Sequence, residues 1–350
     1  MYKTANGKSI ILGKELGKGG AATVYLDANN KEKAIKIFNA ITISKETNLK
    51  ERVLKFCKLY SVANLDVNYG NKIMPVGSFP QETVFDKSGK VVGYIMASVP
   101  NTMKLTYICQ AFDPGKAFHK FKKEKDPNYN HWKEKFLYNP KNIKNRFILC
   151  YYLTLAFNKI YEIKPKSGNG NIELDICNFD IKPDNILVTK DGFPFLLDLD
   201  NLTLINKTDK LAPNNPQCTP HYKAPEGAID KHYDYFSIAV IFYELLFSLH
   251  PFTVKGGTRF TDGTEAPYFI NQKCFAWGRN RKFLYKESLN DPYHSNFQRL
   301  PTDLQNLFIR ALDNDIPSNR PSMIEWHASF QKILTNKNLP LEKLFKVPGY

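Results

Sequence analysis

Short apolar runs separated by glycine and asparagine fill the first hundred residues of the chain. Runs of this length, rich in β-branched and aromatic residues and bounded by turn residues, are typical of strands. They predict strands at residues 9–16, 22–26 and 33–38, followed by two more at residues 72–79 and 91–99. Because the first three strands are joined by short turns, we expect a small antiparallel sheet near the N-terminus.

Between the third and fourth predicted strands, the apolar positions have helical spacing. Ser44 is a suitable N-cap for a helix that reaches about residue 60. The apolar stripe of this segment consists of Leu49, Val53, Phe56 and Tyr60. The pattern therefore predicts one helix here, beside the sheet.

After Pro100 the pattern changes to long helical segments, at residues 141–163, 234–249 and 302–312. The longest apolar runs, residues 147–157 and 236–249, are shorter than the roughly 20 residues of a membrane-spanning helix and predict buried helices. We thus expect an α+β protein with two lobes. The small N-terminal lobe, residues 1–99, is rich in β structure, and the larger C-terminal lobe, residues 100–350, is α-helical.

The composition is that of a folded protein, since 43% of the 350 residues are hydrophobic and 24% are charged. These fractions exclude a disordered, collagen-like or coiled-coil chain. The six cysteines lie far apart and form no CxxC pair, which favours reduced thiols over a disulfide framework or a zinc ribbon. The first residues lack the basic and apolar regions of a secretory signal. We therefore expect a cytoplasmic protein.

The chain carries a formal charge of +15, because 49 lysines and arginines outnumber 34 aspartates and glutamates. Such a field attracts anionic partners. Part of the surplus lies in a predicted insertion, residues 114–144, where lysines are interleaved with Phe118, Tyr129 and Trp132. A solvated surface is the simplest interpretation of these lysines. An acidic protein substrate docked on the insertion is the alternative, and a nucleic acid is disfavoured.

A glycine-rich turn, GKGG at residues 17–20, lies between the first two predicted strands. Glycine lets backbone N–H groups approach phosphate oxygens closely, although a tight hairpin turn explains the same residues. Further on, Lys36 lies between Ile35 and Ile37 in the middle of an apolar strand. Because side chains alternate along a strand, the ammonium group points away from both neighbours, either beneath the glycine turn or into solvent.

The most specific signal is the sequence DIKPDN at residues 180–185. It matches the D-x-K-P-x-N core of a protein-kinase catalytic loop, in which the aspartate accepts the proton of the substrate hydroxyl and the asparagine holds a metal ion. Asp198 follows an apolar run and lies 13 residues after Asn185. A carboxylate at the end of such a strand can reach the same metal ion. An acidic turn with a capping asparagine would have to explain both groups together, so it is much the weaker interpretation.

With these motifs the chain resembles a eukaryotic-type serine/threonine protein kinase, and the order of motifs extends from Leu16 to Arg320. The sequence APE at residues 224–226 matches the end of the activation segment. Asp234 opens a sequence similar to D-x-W-S. Arg320 matches the late arginine that pairs with the glutamate of A-P-E, here Glu226. The glycine turn, VGYIM at residues 92–96 and Asp-Leu-Asp at residues 198–200 are similar to a bacterial branch of this superfamily.

The resemblance implies that ATP and Mg²⁺ are the cofactors and that the γ-phosphoryl group is transferred in line. Catalytic roles are implied for Asp180, Lys182, Lys36 and Glu51 and metal ligation for Asn185 and Asp198. Nucleotide binding is implied for Leu16, Gly17, Lys18, Gly19, Gly20, Val24, Ala34, Lys36, Met96, Ala97, Val99 and Leu187. In this scheme Met96 is the gatekeeper, and the backbone of the two following hinge residues in the set faces adenine.

The partner of Lys36 is expected to be a glutamate of the helix that follows it. Glu51 lies 15 positions after Lys36, a separation usual in the family, and is preferred. Glu46 lies closer to the apolar stripe and is the alternative.

The chain departs from the family pattern at two places. Asn178-Phe179 replaces the usual His-Arg before the catalytic aspartate, so control by a phosphorylated activation loop is not expected. Asp200 replaces the glycine of D-F-G, where it could stiffen the turn or add a carboxylate near the metal ion. Neither change removes a catalytic group, and Lys182 with Thr219 favours serine and threonine as acceptors.

The resulting prediction is an active serine/threonine protein kinase. A nucleotide-binding pseudokinase that serves as a scaffold is one alternative. A small-molecule phosphotransferase of related fold is another, although the activation segment that ends in residues 224–226 favours a protein acceptor.

Overall fold

The structure is a computed structural model that describes residues 2–109, 129–163, 166–167, 170–171, 175–178, 180–205, 210–214, 218–227, 230–257, 259–260, 263, 265–289 and 292–347. The chain forms two compact units. The first comprises Met1–Thr102, Lys159–Asn178 and Phe195–Gln217, and the second comprises Met103–Asn158, Phe179–Pro194 and Cys218–Tyr350. Two segments of the first unit, Lys159–Asn178 and Phe195–Gln217, lie after residue 99, and the predicted boundary places them in the C-terminal lobe.

The strands of the described residues are β1 (Tyr2–Thr4), β2 (Ser9–Ile10), β3 (Leu12–Lys18), β4 (Ala22–Asp27), β5 (Asn30–Phe38), β6 (Asp66–Asn68), β7 (Ile73–Pro75), β8 (Glu82–Phe85), β9 (Val91–Ala97), β10 (Thr102–Lys104), β11 (Lys166–Ser167), β12 (Gly170–Asn171), β13 (Asp175–Cys177), β14 (Ile186–Thr189), β15 (Pro194–Leu196), β16 (Thr203–Ile205) and β17 (Lys210–Leu211). The α-helices are α1 (Ala40–Lys45), α2 (Leu49–Val62), α3 (Leu105–Cys109), α4 (Tyr129–Phe136), α5 (Ile143–Tyr161), α6 (Lys231–Phe247), α7 (Ala266–Asn271), α8 (Lys286–Leu289), α9 (Thr302–Leu312), α10 (Met323–Thr335) and α11 (Leu341–Leu344).

In the first unit, seven strands form one sheet in the order β2-β1-β8-β9-β5-β4-β3. Every neighbouring pair is antiparallel, which confirms the antiparallel sheet predicted from the sequence. The sheet also contains β8, a short strand that the apolar pattern did not predict. A second, three-stranded sheet of β13, β16 and β17 belongs to the same unit.

The single helix predicted after the third strand is instead two helices, α1 and α2. Ser44 lies inside α1, whose N-cap is Asn39, because the side chain of Asn39 accepts a hydrogen bond from the backbone N–H of Thr42 at 2.8 Å. Helix α2 begins at Leu49 and packs on β8 and β9 through its buried face. Its start at Leu49 determines which side chains point inward, because each residue turns the helix by about 100°.

In the second unit, three long helices confirm the predicted helical segments. Helix α6 is buried along nearly its whole length and forms the centre of this unit. Aromatic side chains of α9 and α10 pack on it, with ring centroids 5.2 Å apart for Phe242 and Trp326 and 5.6 Å apart for Tyr243 and Phe308. No helix among the described residues combines the length and the apolar composition needed to cross a membrane.

The predicted basic insertion, residues 114–144, is described only from residue 129 onward. Its lysines at positions 120–125 and Phe118 lie outside the described residues. Trp132, on α4, has no exposed surface and is part of the core, so it is not available as a docking side chain. The rest of the docking hypothesis stays a prediction.

Candidate active site

The glycine-rich turn joins β3 to β4 in the first unit. Gly17 lies opposite Val24 in the strand register, and the N–H of Gly19 donates to the carbonyl of Ala22 at 2.9 Å. A Cβ atom added at Gly17 or Gly20 would meet no atom within 4 Å, and neither glycine has a left-handed backbone. Neither the packing of the described residues nor the backbone geometry therefore requires glycine at these two positions. Close approach of a ligand does explain it, which favours the phosphate interpretation over a plain hairpin.

Next to the turn, the predicted adenine-binding residues of the first unit lie on adjoining strands. Ala34 on β5 pairs with Met96 on β9, and both side chains are buried. Leu16 on β3 is exposed and Val24 on β4 is half-buried, so their apolar surfaces are open to a ligand. Leu187 is half-buried in the second unit.

Lys36 is buried on β5 and is bound by two carboxylates. Its Nζ atom lies 3.0 Å from Oδ1 of Asp198 and 2.7 Å from Oδ1 of Asp200. The rings of Phe38 and Tyr94 flank the same ammonium group, each with its centroid 5.8 Å away. Burial lowers the pKa of Lys36, but the two carboxylates offset this and raise the pKa above that of a free lysine. Lys36 is therefore a fixed cation.

The predicted ion pair between Lys36 and Glu51 is wrong for this structure. Glu51 is exposed on α2, and the buried side chain at that level of the helix is Arg52. Glu46, the alternative partner, instead accepts a hydrogen bond from Nη1 of Arg52 at 3.4 Å. The reason is the phase of α2: a helix that begins at Leu49 turns Arg52 inward and Glu51 outward.

Asp198 has a left-handed backbone, with φ 54° and ψ 36°, which is uncommon for a residue other than glycine. The conformation starts the 3₁₀ turn Leu199–Asn201, and the carbonyl of Asp198 accepts a hydrogen bond from the N–H of Asn201 at 3.0 Å. Backbone strain of this kind is concentrated at functional sites. The side chain of Asp198 remains 45% exposed although Lys36 binds it. The carboxylate is therefore accessible to a ligand.

Asp200 is the site residue that sequence reasoning missed as a partner of lysine. Its side chain is 7% exposed, and its backbone carbonyl accepts a hydrogen bond from Nη2 of Arg52. Burial raises the pKa of Asp200, but Lys36 and Arg52 lower it below the usual value for an aspartate. The Asp-Leu-Asp sequence is the signal that could have pointed to this role.

The catalytic-loop residues form a second cluster, in the second unit. Oδ2 of Asp180 accepts a hydrogen bond from Nζ of Lys182 at 2.6 Å, and Oδ1 accepts one from the hydroxyl of Thr219 at 2.7 Å. Lys182 also donates to the hydroxyl of Thr219 at 3.0 Å. The Nδ2 atom of Asn185 donates to the backbone carbonyl of Asp180 at 2.9 Å. Asp180 is thus fixed on both sides of its carboxylate.

The two predicted metal ligands have donor atoms that suit Mg²⁺, which prefers oxygen. Because Nδ2 of Asn185 donates to Asp180, its Oδ1 atom is directed away from that carboxylate. Asp198 offers a partly exposed carboxylate in the first unit. Each of these oxygens, taken by itself, is a ligand of the type that the ion implied by the resemblance prefers.

The end of the activation segment is held by an ion pair in which Arg320 is buried and Glu226 is partly exposed. Nη2 of Arg320 donates to Oε2 of Glu226 at 2.8 Å, and Nη1 bonds the other carboxylate oxygen. This confirms the pair predicted between the two residues. Nearby, the hydroxyl of Tyr222 donates to Oε2 of Glu244 at 3.0 Å. Burial raises the pKa of Glu244 to about 8.

Comparison with known families and proteins agrees with these clusters. A family model described as the protein kinase domain matches residues 173–331. Citron rho-interacting kinase of Rattus norvegicus is 34% identical over 102 residues, which are 26% of this chain and 4% of that protein. The serine/threonine-protein kinase ULK3 of Xenopus laevis is 37% identical over 87 residues, 24% of this chain and 19% of that protein. A probable serine/threonine-protein kinase of Clostridium perfringens is 24% identical over 207 residues, 57% of this chain and 26% of that protein.

Among solved structures, the ROP18 kinase domain in complex with AMP-PNP and sucrose is similar over 95% of this chain and 82% of its own, with a TM-score of 0.53 and 17% identity. At this identity the likeness concerns the fold. The family match over residues 173–331, together with the serine/threonine-protein kinases among the relatives, supports the protein kinase superfamily.

Proposed function

We propose that this chain is an active protein kinase that transfers the γ-phosphoryl group of ATP to serine or threonine hydroxyls of protein substrates. The observation that carries the proposal is the Asp180 carboxylate, which Lys182 and Thr219 hold from its two sides. A carboxylate fixed in this way is oriented to receive the proton of an acceptor hydroxyl. A surface aspartate that only capped a turn would not need two side-chain donors.

The remaining roles follow from charge and position. Lys36, a fixed buried cation, holds the α- and β-phosphate oxygens, and Lys182 neutralises charge on the γ-phosphate. The backbone N–H groups of the glycine turn approach the phosphates without hindrance from side chains. Asn185 and Asp198 would hold Mg²⁺, which would supply further neutralisation of the phosphate charge. In such a transfer, catalysis comes from positioning and charge neutralisation.

The choice of acceptor rests on the second unit. The hydrogen bond from Lys182 to Thr219 at 3.0 Å is the feature that favours serine and threonine over tyrosine. The Glu226–Arg320 pair anchors an activation segment, a feature that suits a protein acceptor more than a small molecule. The ROP18 kinase domain has been solved with AMP-PNP, which supports ATP as the donor here. The cytoplasm stays the predicted location.

The competing function is a pseudokinase that binds nucleotide and transfers nothing. The four groups Lys36, Asp180, Asn185 and Asp198 are all present, and each lies in a hydrogen-bonded or ion-paired setting. A chain that had lost catalysis would have no need to hold all four in this way.

The test uses radiolabelled ATP, a peptide library that contains serine or threonine, and Mg²⁺. Wild-type protein is compared with Asp180→Asn and with the matched control Asp184→Asn, an exposed aspartate of the same loop. We expect Asp180→Asn to lower the rate about 10²- to 10⁴-fold, the contribution of a general base, and Asp184→Asn to stay within about two-fold of wild type. Nucleotide binding without transfer in the wild type would instead establish the pseudokinase. Phosphate transfer to a small hydroxyl compound but to no peptide would establish the small-molecule alternative.

A further inference from the structure

Lys36 has no helix glutamate as its partner in this chain. In the protein kinase family, the strand lysine is positioned by an ion pair with a glutamate of the following helix. Here the carboxylates at Lys36 both come from the turn that begins at Asp198, while the helix presents Arg52 to its buried side. The negative charge that a helix glutamate provides in the family is provided here by carboxylates of the turn.

We propose that Asp200 is the positioning residue for Lys36 and that Arg52 holds Asp200 in place. The inference rests on the proposed function, since it concerns the lysine that would hold the phosphates. It assigns a role to a residue at which the family has glycine, and to an arginine on the helix face where the family has its glutamate.

The two carboxylates at Lys36 differ in exposure, and this difference divides their roles. The side chain of Asp200 is 7% exposed and lies 2.7 Å from Nζ, whereas that of Asp198 is 45% exposed and lies 3.0 Å away. A buried carboxylate in contact with a cation keeps that partner, because separating the two leaves an uncompensated buried charge. Asp198, the exposed member, can engage a metal ion while Asp200 retains the lysine.

The donor count of Lys36 agrees with this division. A lysine ammonium has three hydrogens and no acceptor. Asp198 and Asp200 accept one hydrogen each, and the third has no acceptor among the described residues. Lys36 is therefore held in one orientation by two bonds and retains a donor for a phosphate oxygen.

Arg52 explains how Asp200 is held. Nη2 of Arg52 donates to the backbone carbonyl of Asp200, and Nη1 contacts Glu46 at 3.4 Å. The helix thus fixes the backbone of the turn instead of contacting the lysine directly. Asp200 thus bonds Lys36 through its carboxylate and Arg52 through its backbone carbonyl, and so links the helix to the lysine.

This arrangement has a consequence for positioning. The lysine counter-ion and the predicted metal-binding carboxylate lie on the same short turn, residues 198–200. In a kinase with a helix glutamate, moving the helix breaks the lysine pair. Here the pair with Lys36 does not depend on a carboxylate of α2.

The experiment compares Asp200→Asn with a matched control, Glu51→Gln, which removes one exposed carboxylate charge from α2. The kcat, the KM for ATP and the dissociation constant of the Mg²⁺ complex of a non-hydrolysable ATP analogue are measured for each. We expect Asp200→Asn to lower kcat about 10²-fold, the cost of misplacing a reacting group by about 1 Å, and Glu51→Gln to stay within about two-fold. A large loss in Glu51→Gln with none in Asp200→Asn would overturn the proposal.

A double-mutant cycle separates positioning from general stability. If Asp200 acts through Lys36, the double variant Lys36→Ala/Asp200→Asn is no less active and binds the analogue no more weakly than Lys36→Ala alone. Losses that multiply would mean that Asp200 acts independently of the lysine, which contradicts the proposal.

If Asp200→Asn does not fold, Asp200→Glu replaces it, because it keeps the buried charge and displaces the carboxylate by one methylene. We expect a melting temperature near that of the wild type with kcat at least about ten-fold lower, and an unchanged kcat would overturn the proposal. The binding measurements are independent of catalysis. A wild type that binds the analogue without transferring phosphate refutes the proposed function, while weaker binding in Asp200→Asn than in Glu51→Gln still supports the role of Asp200.

Discussion

Two clusters carry the predicted chemistry, and they differ in how they are built. The catalytic-loop cluster of the second unit, Asp180, Lys182, Asn185 and Thr219, agrees with the family motif at each position. The lysine cluster of the first unit, Lys36, Arg52, Asp198 and Asp200, retains the family lysine and aspartate but obtains its second carboxylate from a different place. The catalytic-loop cluster keeps the residue types of the family motif. The lysine cluster keeps a carboxylate beside the lysine but supplies it from a different residue.

The difference shows which property each cluster must keep. In the proposed function, position 180 needs an oriented carboxylate within reach of an acceptor hydroxyl, and few types of side chain provide one. Lys36 needs a nearby negative charge that fixes its Nζ atom, and any carboxylate at about 3 Å in a buried setting can serve. The carboxylate that balances the charge of Lys36 can therefore come from another residue, whereas the proposed proton acceptor at position 180 cannot be replaced so easily.

The largest expected effect lies in the cluster that follows the motif. Lys182 bonds both Asp180 and Thr219, and Lys182→Ala removes the cation to which the proposed function assigns the charge of the γ-phosphate. We expect kcat to fall about 10²- to 10³-fold, as for loss of one charge-stabilising donor. Thr219→Ser, which keeps the hydroxyl, is the control and should retain most of the rate. A Lys182→Ala variant with wild-type kcat would mean that matching a motif does not make this cluster catalytic.

The second prediction concerns the stability of the second unit, where the buried Arg320 pairs with Glu226. Arg320→Ala removes a buried side chain that bonds Glu226 and the carbonyls of Ala311 and His232, and we expect the free energy of unfolding to fall by more than about 2 kcal/mol. The control is Arg310→Ala, which breaks the exposed pair with Glu325 and should cost at most about 1 kcal/mol. Chemical denaturation followed by circular dichroism measures both. Equal losses in the two variants would show that the burial of Arg320 contributes nothing.

Two buried carboxyl groups, Glu244 in the second unit and Asp200 in the first, should respond to pH in opposite directions. Burial raises the pKa of Glu244 from 4.5 to about 8, so the folded protein keeps this proton between those values while the unfolded chain loses it. This group therefore destabilises the fold as pH rises from about 4.5 to 8, by up to about 1.4 kcal/mol per pH unit, and adds no further change above pH 8. The pKa of Asp200 is lowered, so its contribution to stability is instead lost as pH falls below the ordinary value for an aspartate.

Glu244→Gln tests this difference, because it removes the titrating group and preserves a hydrogen-bond acceptor for Tyr222. Melting temperatures between pH 5 and 8 should decline less steeply in the variant than in the wild type. Identical slopes would show that Glu244 does not carry the pH dependence.

The smallest effect is expected from removing phosphate. Thr203 is buried and Thr219 is bound to Asp180, while Phe179 and Thr208 lie outside the described residues. The segment is held by other contacts, including the backbone N–H of Asn214, which donates to Glu46 at 3.1 Å. We expect phosphatase treatment to leave the basal rate within about two-fold. Loss of most activity, restored by ATP, would show that another cation senses a phosphate.

Much of the fold follows from the sequence because it depends on local patterns. Short apolar runs predicted β4, β5 and β9 of the sheet, and apolar periodicity predicted α5, α6 and α9. The division of this segment into two helices, α1 and α2, could not be predicted from the sequence. Asn39 and Ser44 are both acceptable N-caps, and the sequence alone does not show that Asn39 is the residue that caps α1.

The sequence by itself determined the catalytic-loop cluster, because Asp180, Lys182 and Asn185 are close in the chain and a short loop holds them together whatever surrounds it. The partner of Lys36 was decided only by the tertiary structure. Asp200 lies 164 positions away in sequence, and a contact over that distance depends on how the strands and α2 pack. Whether Glu51 or Arg52 points to the buried side of α2 depends on a rotation of the helix by about 100°. That rotation is set by the residue at which α2 begins and by the apolar face that the helix must bury.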